Sequence, residues 1–167
     1  MNRYNDYTGI TRQWLRRYND FIKAINNIAD DIKVVASEID NDEDIAAPIA
    51  KYSGMPGGGS SELNAVERFA SRRMERKAKI AQLKADKAEL ARVVSKIECA
   101  INSLDNESAD IIKSYYISNK SWLEIANKHH YSEEWTRKKS NKAIKRMALF
   151  IFGMKAMPEQ LSFVFAI

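Results

Sequence analysis

Apolar side chains recur at steps of three and four along the first forty residues. The positions are Ile10, Trp14, Tyr18, Phe21, Ile25, Ile28, Ile32, Val35 and Ile39. Because such steps return a side chain to the same side of an α-helix, the pattern predicts an amphipathic helix from about Thr8 to Ile39 with a heptad-like seam. An acidic cluster follows within 40–44. Carboxylates at a helix carboxyl end oppose the helix dipole, which favours termination there.

A linker is predicted over 45–61, because this stretch holds two of the three prolines and four of the six glycines. Ser60 or Ser61 can cap a second helix over 62–104. Nine of its twelve seam positions are apolar, and the other three are Arg73, Arg76 and Lys87. The twelve positions in order are Val66, Phe69, Arg73, Arg76, Ile80, Leu83, Lys87, Leu90, Val94, Ile97, Ile101 and Leu104. This predicts one coiled-coil-like helix about 64 Å long. Its seam needs a cover, which is the first helix, another copy of the chain, or both.

Shorter amphipathic segments follow Leu104, over 110–117, 121–128 and 132–152. Ser121 and Ser132 are the predicted caps of the last two segments. The predicted inner face of the last helix is Thr136, Ser140, Ala143, Ile144 and Met147. The last two helices are joined by a short connection at 129–131, which predicts a helix-turn-helix domain over 105–152. The predicted fold is therefore all-α, with long helices (1–44 and 62–104) before this small domain.

Positive charge is concentrated in that domain. Residues 120–146 carry eight Lys or Arg against three Asp or Glu, an excess equal to the net charge of +5 of the whole chain. Residues 1–50 instead carry six basic against nine acidic residues. A local basic excess is the electrostatic footprint of a polyanion-binding surface, although a solvated helix face gives the same count.

The residue types on the outer face of the last helix suit duplex DNA. Arg137 or Lys138 could donate to guanine in the major groove, and Asn141 could bridge adenine. Glu133 and Glu134 lie at the amino-terminal end of the helix, where the helix dipole favours negative charge. One of them could accept a hydrogen bond from the amino group of cytosine. Phosphate contacts are predicted for the other basic side chains, which are Lys120, Lys128, Lys139, Lys142, Lys145 and Arg146.

The segment SLDNESADIIKSYYISNKSWLEIANKHHYSEEWTRKKSNKAIKRM resembles the sigma-factor region-4-like helix-turn-helix of phage late-gene transcriptional regulators of the RinA/ArpU type. The resemblance extends upstream through PIAKYSGMPGGGSSELNAVE and covers most of 8–152. It implies that Ser132 is the helix cap. It assigns promoter contacts to Glu133, Glu134, Trp135, Arg137 and Lys138. Two positions depart from the pattern, because Lys139 replaces an apolar core residue and Trp135 replaces a basic one.

The same resemblance implies an activator or accessory regulator in the cytoplasm of a bacterial host, with host RNA polymerase as a possible partner. No equivalent of sigma region 2 is visible, so a complete sigma factor is not expected. Cys99 is the only cysteine, which fits a reducing compartment and excludes an internal disulfide. The sequence contains neither a signal peptide nor an apolar run long enough for a membrane span.

Catalytic, metal and cofactor sites are not predicted. His129 and His130 are the only histidines, and adjacent residues on a turn point apart. No paired carboxylates or nucleophile–base set stands out, so an enzyme is not expected. The stretch GMPGGGSS matches the glycine spacing of a phosphate loop at Gly54 and Gly59, but Ser60 stands where the phosphate-binding lysine belongs. It is interpreted as a linker.

The sequence therefore predicts a sequence-specific DNA-binding transcriptional regulator that forms a dimer or higher homo-oligomer. One alternative is a small terminase subunit, a packaging component that would form a many-membered ring with an ATPase partner. A second alternative is a pure scaffolding protein. The tail 153–167 is apolar and should pack on the helical body, a second subunit or another partner.

Overall fold

The computed structural model describes residues 6–50 and 59–157, and within those ranges all regular structure is helical. The all-α prediction is confirmed. The helices are α1 (Tyr7–Arg16), α2 (Tyr18–Ala50), α3 (Gly59–Asn102), α4 (Asn106–Ile112), α5 (Trp122–His129) and α6 (Glu133–Phe152). A π turn (Lys113–Ile117) extends α4, and a 3-10 turn (Gly153–Ala156) follows α6. Among these helices, none combines the length and the apolar character that a membrane span requires.

The single first helix predicted over 8–39 is divided at Arg17. The amide of Arg17 approaches two carbonyl oxygens, at 3.1 Å from Gln13 and 3.2 Å from Trp14. The two residues after the break make distant contacts. The Tyr18 hydroxyl donates to Glu98 at 2.7 Å, and the Asn19 amide donates to the Ile117 carbonyl at 2.8 Å. These contacts fix the direction of the chain after Arg17, which periodicity alone could not predict.

Both ends of the predicted linker over 45–61 are helical, at 45–50 and at 59–61. Helix α2 continues past the acidic cluster to Ala50, and α3 begins at Gly59. Acidic residues near a helix carboxyl end cost only about 0.3–1 kcal/mol each, which is not enough to end a helix by itself. Residues 51–58, with most of the phosphate-loop-like segment, lie outside the described residues, as do residues 158–167 of the apolar tail.

The chain divides into two compact units, and the first combines α1 with α4, α5 and α6. It comprises the residues up to Ile22 and those from Arg92 onward, whereas the second comprises Lys23–Ala91. Residues on both sides of the predicted boundary between 104 and 105 belong to this first unit. The physical reason is a shared core, since Leu15 of α1 and Ile97 of α3 are fully buried in the same cluster as Ile144 of α6.

The core of the first unit confirms the predicted inner face of α6. Thr136, Ser140, Ala143, Ile144 and Met147 are all buried, with at most 4 % of each residue exposed. At the end of α6, the ring of Phe152 packs on Tyr7 (4.9 Å between centroids) and on Trp14 (5.3 Å). Helix α1 therefore lies along α6, and this contact places the amino-terminal helix beside the helix-turn-helix.

In the second unit, α2 provides cover for the predicted seam of α3. Val35 and Ile39 of α2 are buried. Seam positions of α3, including Ile80 and Leu83, are half-buried. Arg76, a charged interruption of the seam, forms an ion pair with Glu38 at 3.2 Å. Folding back of the first long helix is thus one source of cover for this seam.

We expect Leu15→Ala to destabilise the first unit by about 2–5 kcal/mol, because it removes fully buried methyl groups from the shared core. Denaturant unfolding followed by tryptophan fluorescence isolates this unit, since all three tryptophans of the chain, Trp14, Trp122 and Trp135, belong to it. The control is Leu123→Ala, at a residue 57 % exposed, which should change stability by less than about 0.5 kcal/mol. Equal effects of the two substitutions would contradict the shared core.

Candidate nucleic-acid interface

Local hydrogen bonds define the connection between α5 and α6. Ser121 and Glu124 form a capping box at the start of α5, with the Glu124 amide donating to Ser121 Oγ at 3.2 Å and the Ser121 amide donating to Glu124 Oε2 at 2.7 Å. His130, the residue after α5, has a left-handed conformation (φ 58°), and the Tyr131 amide donates to the Ala126 carbonyl at 2.9 Å. Residues 130–132 therefore form a tight turn between two capped helices.

Ser132 is the cap of α6, as the sequence predicts. Its hydroxyl accepts a hydrogen bond from the Trp135 amide at 3.2 Å. Glu133 and Glu134 occupy the first turn of α6, where the helix dipole favours negative charge. The start of α6 is thus fixed by its own sequence, and this sets the side of the helix on which each following residue lies.

Both glutamates also pair with the two predicted base-contacting cations. Glu133 accepts from Arg137 at 2.9 Å, and Glu134 pairs with Lys138 at 2.7 Å. The Arg137 and Lys138 side chains remain 56 % and 74 % exposed. Exposed pairs spaced by four residues on a helix contribute only about 0.3–0.5 kcal/mol. Arg137 or Lys138 could therefore exchange its glutamate for an acceptor on DNA at little cost in free energy.

Lys139 does not occupy the solvated position that a phosphate contact needs. Its side chain is 21 % exposed, pairs with Glu107 of α4 and lies 3.9 Å from Asp105. Its ammonium also lies 4.8 Å from the centre of the Trp135 ring. The charged residue at a core-like position is thus neutralised by α4, and the predicted role of Lys139 in phosphate binding is replaced by a role in joining α6 to α4.

Lys128 is likewise compensated. Its ammonium lies 2.6 Å from Asp110, which also contacts Nε2 of His129 at 2.7 Å. The hydrogen bond from Lys128 is the main cause that lowers the pKa of Asp110, and the contact with His129 adds to it against the opposing effect of burial. The structure therefore gives Lys128 and His129 a partner that ties α5 to α4.

Trp135 lies at the edge of the candidate nucleic-acid interface. It is 39 % exposed, and its ring stacks on Tyr131 with 3.8 Å between centroids. Tyr131 belongs to the turn, so this stack packs the first turn of α6 against the connection that precedes it. With Lys142 and Arg146, Trp135 also lines a groove beside the start of α4.

Lys142, Lys145 and Arg146 are exposed, and no described carboxylate lies within ion-pairing distance of them. Lys138, Asn141 and Lys145 follow one another at steps of three and four, on the side of α6 opposite the buried Thr136 and Met147. Helix α6 therefore has one side closed into the core and one side that is open and basic. Lys120 is also exposed and lies just before α5.

Sequence reasoning missed the contribution of α1. The guanidinium of Arg12 donates to Oδ1 of Asn141 at 3.2 Å, although the two residues are far apart in the chain. Burial raises the pKa of Tyr116, while a hydrogen bond from Arg12 and the charge of Arg16 act in the opposite direction. The spacing of Arg12 and Arg16 places them on one side of a helix. Only tertiary contacts reveal which surface that side joins.

An aromatic stack links α6 with the π turn. The guanidinium of Arg137 lies 5.8 Å from the centre of the Trp122 ring, and Trp122 stacks on Tyr115 with 3.9 Å between centroids. Tyr115 in turn contacts Tyr116 edge to face at 4.9 Å. Trp122 is partly buried and lies between Arg137 and Tyr115.

Within the part of the chain that the structure describes, no three or more His, Cys, Asp or Glu side chains are grouped to hold a metal ion. Cys99 is exposed. Comparison with protein-family models, with curated proteins and with solved structures finds no match for this chain.

We expect Asp110→Asn to destabilise the first unit by about 1 kcal/mol at pH 7, a modest effect because the carboxylate is 36 % exposed and water screens its pairs. The folded pKa of Asp110 is depressed, so its stabilisation is present above the ordinary value of 3.8 and is lost as the pH falls through the folded pKa. The difference between variant and parent should therefore disappear in acid.

Denaturant titrations with tryptophan fluorescence from pH 7 down to acid would measure this difference. Glu134→Gln is the control in the same unit, since the Glu134 side chain is 78 % exposed and pairs with the exposed Lys138 four residues away. Its effect should stay below about 0.5 kcal/mol at every pH. A loss for Asp110→Asn that is independent of pH would mean that the carboxylate acts through shape and not through charge.

Proposed function

We propose that this protein is a sequence-specific regulator that binds duplex DNA through α6. One observation carries the proposal. A helix of 20 residues has one side buried in the core and the other side open and basic, and a tight turn presents its amino-terminal half. This is the arrangement by which a helix-turn-helix places its second helix in the major groove.

The dimensions and the donors of α6 support this binding mode. A helix with its side chains is about 10–12 Å across, and the major groove is about 12 Å wide. Arg137 and Lys138 would donate to guanine, and Asn141 would bridge adenine. Glu133 and Glu134, released from their helical partners, can accept from cytosine. Ser132 and Trp135 position the first turn.

Phosphate contacts in this proposal come from Lys142 and Lys145 on α6 and from Lys120 before α5. Phosphate contacts fix the position of a protein on DNA but carry no sequence information directly. Lys128 contributes less to phosphate binding than its charge indicates, because its ammonium donates hydrogen bonds to both carboxylate oxygens of Asp110.

The resemblance to RinA/ArpU-type regulators supports the regulatory part of the proposal, which is activation of late genes in the bacterial cytoplasm with host RNA polymerase as partner. A homo-oligomer would present two or more copies of α6, and the distance between copies would set the spacing of half-sites.

The direct test is selection of duplexes from a random library at about physiological salt, because non-specific binding falls steeply with salt. Enrichment of one motif, above all a repeated half-site, would support the proposal. Failure to enrich any motif would count against it. A many-membered ring in a mass measurement would favour a packaging component instead.

We expect Lys142→Ala to weaken binding of all duplexes by a similar factor and to lower the slope of log affinity against log salt by about one. Arg137→Ala should also reduce discrimination at one base pair, by about 1–3 kcal/mol. Fluorescence anisotropy titrations at several salt concentrations, with the selected site and with single-base variants of it, would measure both effects.

Lys33→Ala is the control, because Lys33 is an exposed lysine of α2 in the second unit. It removes the same charge and should leave the salt slope unchanged. If Lys142→Ala and Arg137→Ala bound DNA as the parent does, the assignment of α6 to the interface would be wrong.

A further inference from the structure

A cleft beside the helix-turn-helix is lined by Arg16 of α1, Tyr115 and Tyr116 of the π turn, and Asn119 and Lys120 before α5. We propose that this cleft binds a backbone phosphate of the DNA duplex whose major groove α6 occupies. The inference rests on the proposed function and extends it to the amino-terminal helix. It makes α1 a part of the DNA-binding surface.

The cleft brings together two cations from distant parts of the chain. Arg16 is the last residue of α1, and both it and Lys120 are exposed. A guanidinium offers a planar fork of donors that matches phosphate oxygens, and an ammonium adds a second positive charge. The pair therefore provides donors and charge for one anionic group.

The backbone around the cleft is fixed without a ligand. Asn119 has a left-handed conformation (φ 53°), and the Lys120 amide donates to the Ser114 carbonyl at 2.9 Å. On the other side, the fully buried Leu15 anchors the turn of α1 that ends at Arg16. Binding there would order mainly the two cationic side chains, which keeps the entropic cost small.

Two separate routes of contact connect the cleft with the open side of α6. Along the first, Arg12, one helical turn before Arg16, donates to Asn141 at 3.2 Å. Along the second, Arg137 lies over Trp122, which stacks on Tyr115 in the wall of the cleft. Because phosphates border the major groove on both sides of an inserted helix, a cleft joined to α6 in this way lies where a phosphate is expected.

Glu124 lies near the Lys120 side of the cleft. Glu124 is close enough to Lys120 for that charge to be one of the causes that lower its pKa, but the larger causes are its hydrogen bonds with Ser121. Glu124 accepts from the Ser121 amide at 2.7 Å and from the Ser121 hydroxyl at 2.8 Å. The capping box thus holds this carboxylate at the start of α5.

The test is Arg16→Ala in the full chain, with anisotropy titrations of the selected duplex at several salt concentrations. We expect a loss of affinity of about 3–10-fold near physiological salt and a salt slope lower by about one, as for the loss of one phosphate contact. Arg16→Lys keeps the charge and should retain most of the slope. Unfolding followed by tryptophan fluorescence checks that the variants are folded.

Arg17→Ala is a closely matched control. Arg17 is the adjacent arginine, is exposed, and does not line the cleft. It should bind the duplex as the parent does. If Arg17→Ala weakened binding as much as Arg16→Ala, the effect would be one of general charge and the cleft would not be a phosphate site.

The remaining outcomes distinguish failure of the phosphate site in the cleft from failure of DNA binding through α6. If Lys142→Ala and Arg137→Ala weakened binding but Arg16→Ala did not, the cleft would be excluded while the DNA-binding proposal stood. If the parent protein bound no duplex at any salt concentration, both would fail. Duplexes in which one phosphate at a time is replaced by a neutral methylphosphonate would locate the phosphate that the cleft binds. Replacement of that phosphate should weaken binding by the parent protein but not by Arg16→Ala.

Discussion

The packing of α1 against α6 is the contact on which the rest of the first unit depends. Leu15 is fully buried among residues of α3, α4 and α6, and Phe152 at the end of α6 is covered by Tyr7 and Trp14. Because this core closes one side of α6, only the opposite side is available to a partner. The same packing brings Arg12 to Asn141. Apolar burial here thus decides which polar groups face the solvent.

Charge compensation refines this surface. Much of the positive charge in 120–146 is already matched by carboxylates, because Asp110 holds Lys128 and Glu107 holds Lys139. The pairs of Arg137 and Lys138 lie within α6 and are exposed, so they can exchange partners. Lys142, Lys145 and Arg146 keep their charge open to solvent. A count of basic residues therefore overstates the electrostatic footprint, and the geometry selects the part that can act.

Local patterns predicted what depends on neighbouring residues. The inner face of α6 followed from helical spacing, and the caps Ser121 and Ser132 followed from residue type and position. Contacts between distant residues were not predictable in this way. The break at Arg17, the pairing of Lys139 with Glu107 and the position of Arg16 beside Lys120 all depend on how helices pack. A heptad-like seam running through α1 favoured an oligomerisation helix, although α1 belongs to the same unit as α6.

The packing of α1 with α4, α5 and α6 in one unit has a consequence during synthesis. A ribosome releases α1 long before α6 exists, and the core that receives Leu15 cannot close until the whole stretch Lys23–Ala91 has been made. Contacts between such distant residues raise the contact order of the unit and slow its folding. The nascent chain therefore emerges with the apolar side of α1 uncovered. The α6 surface is likewise incomplete until residues Glu133–Phe152 have been made.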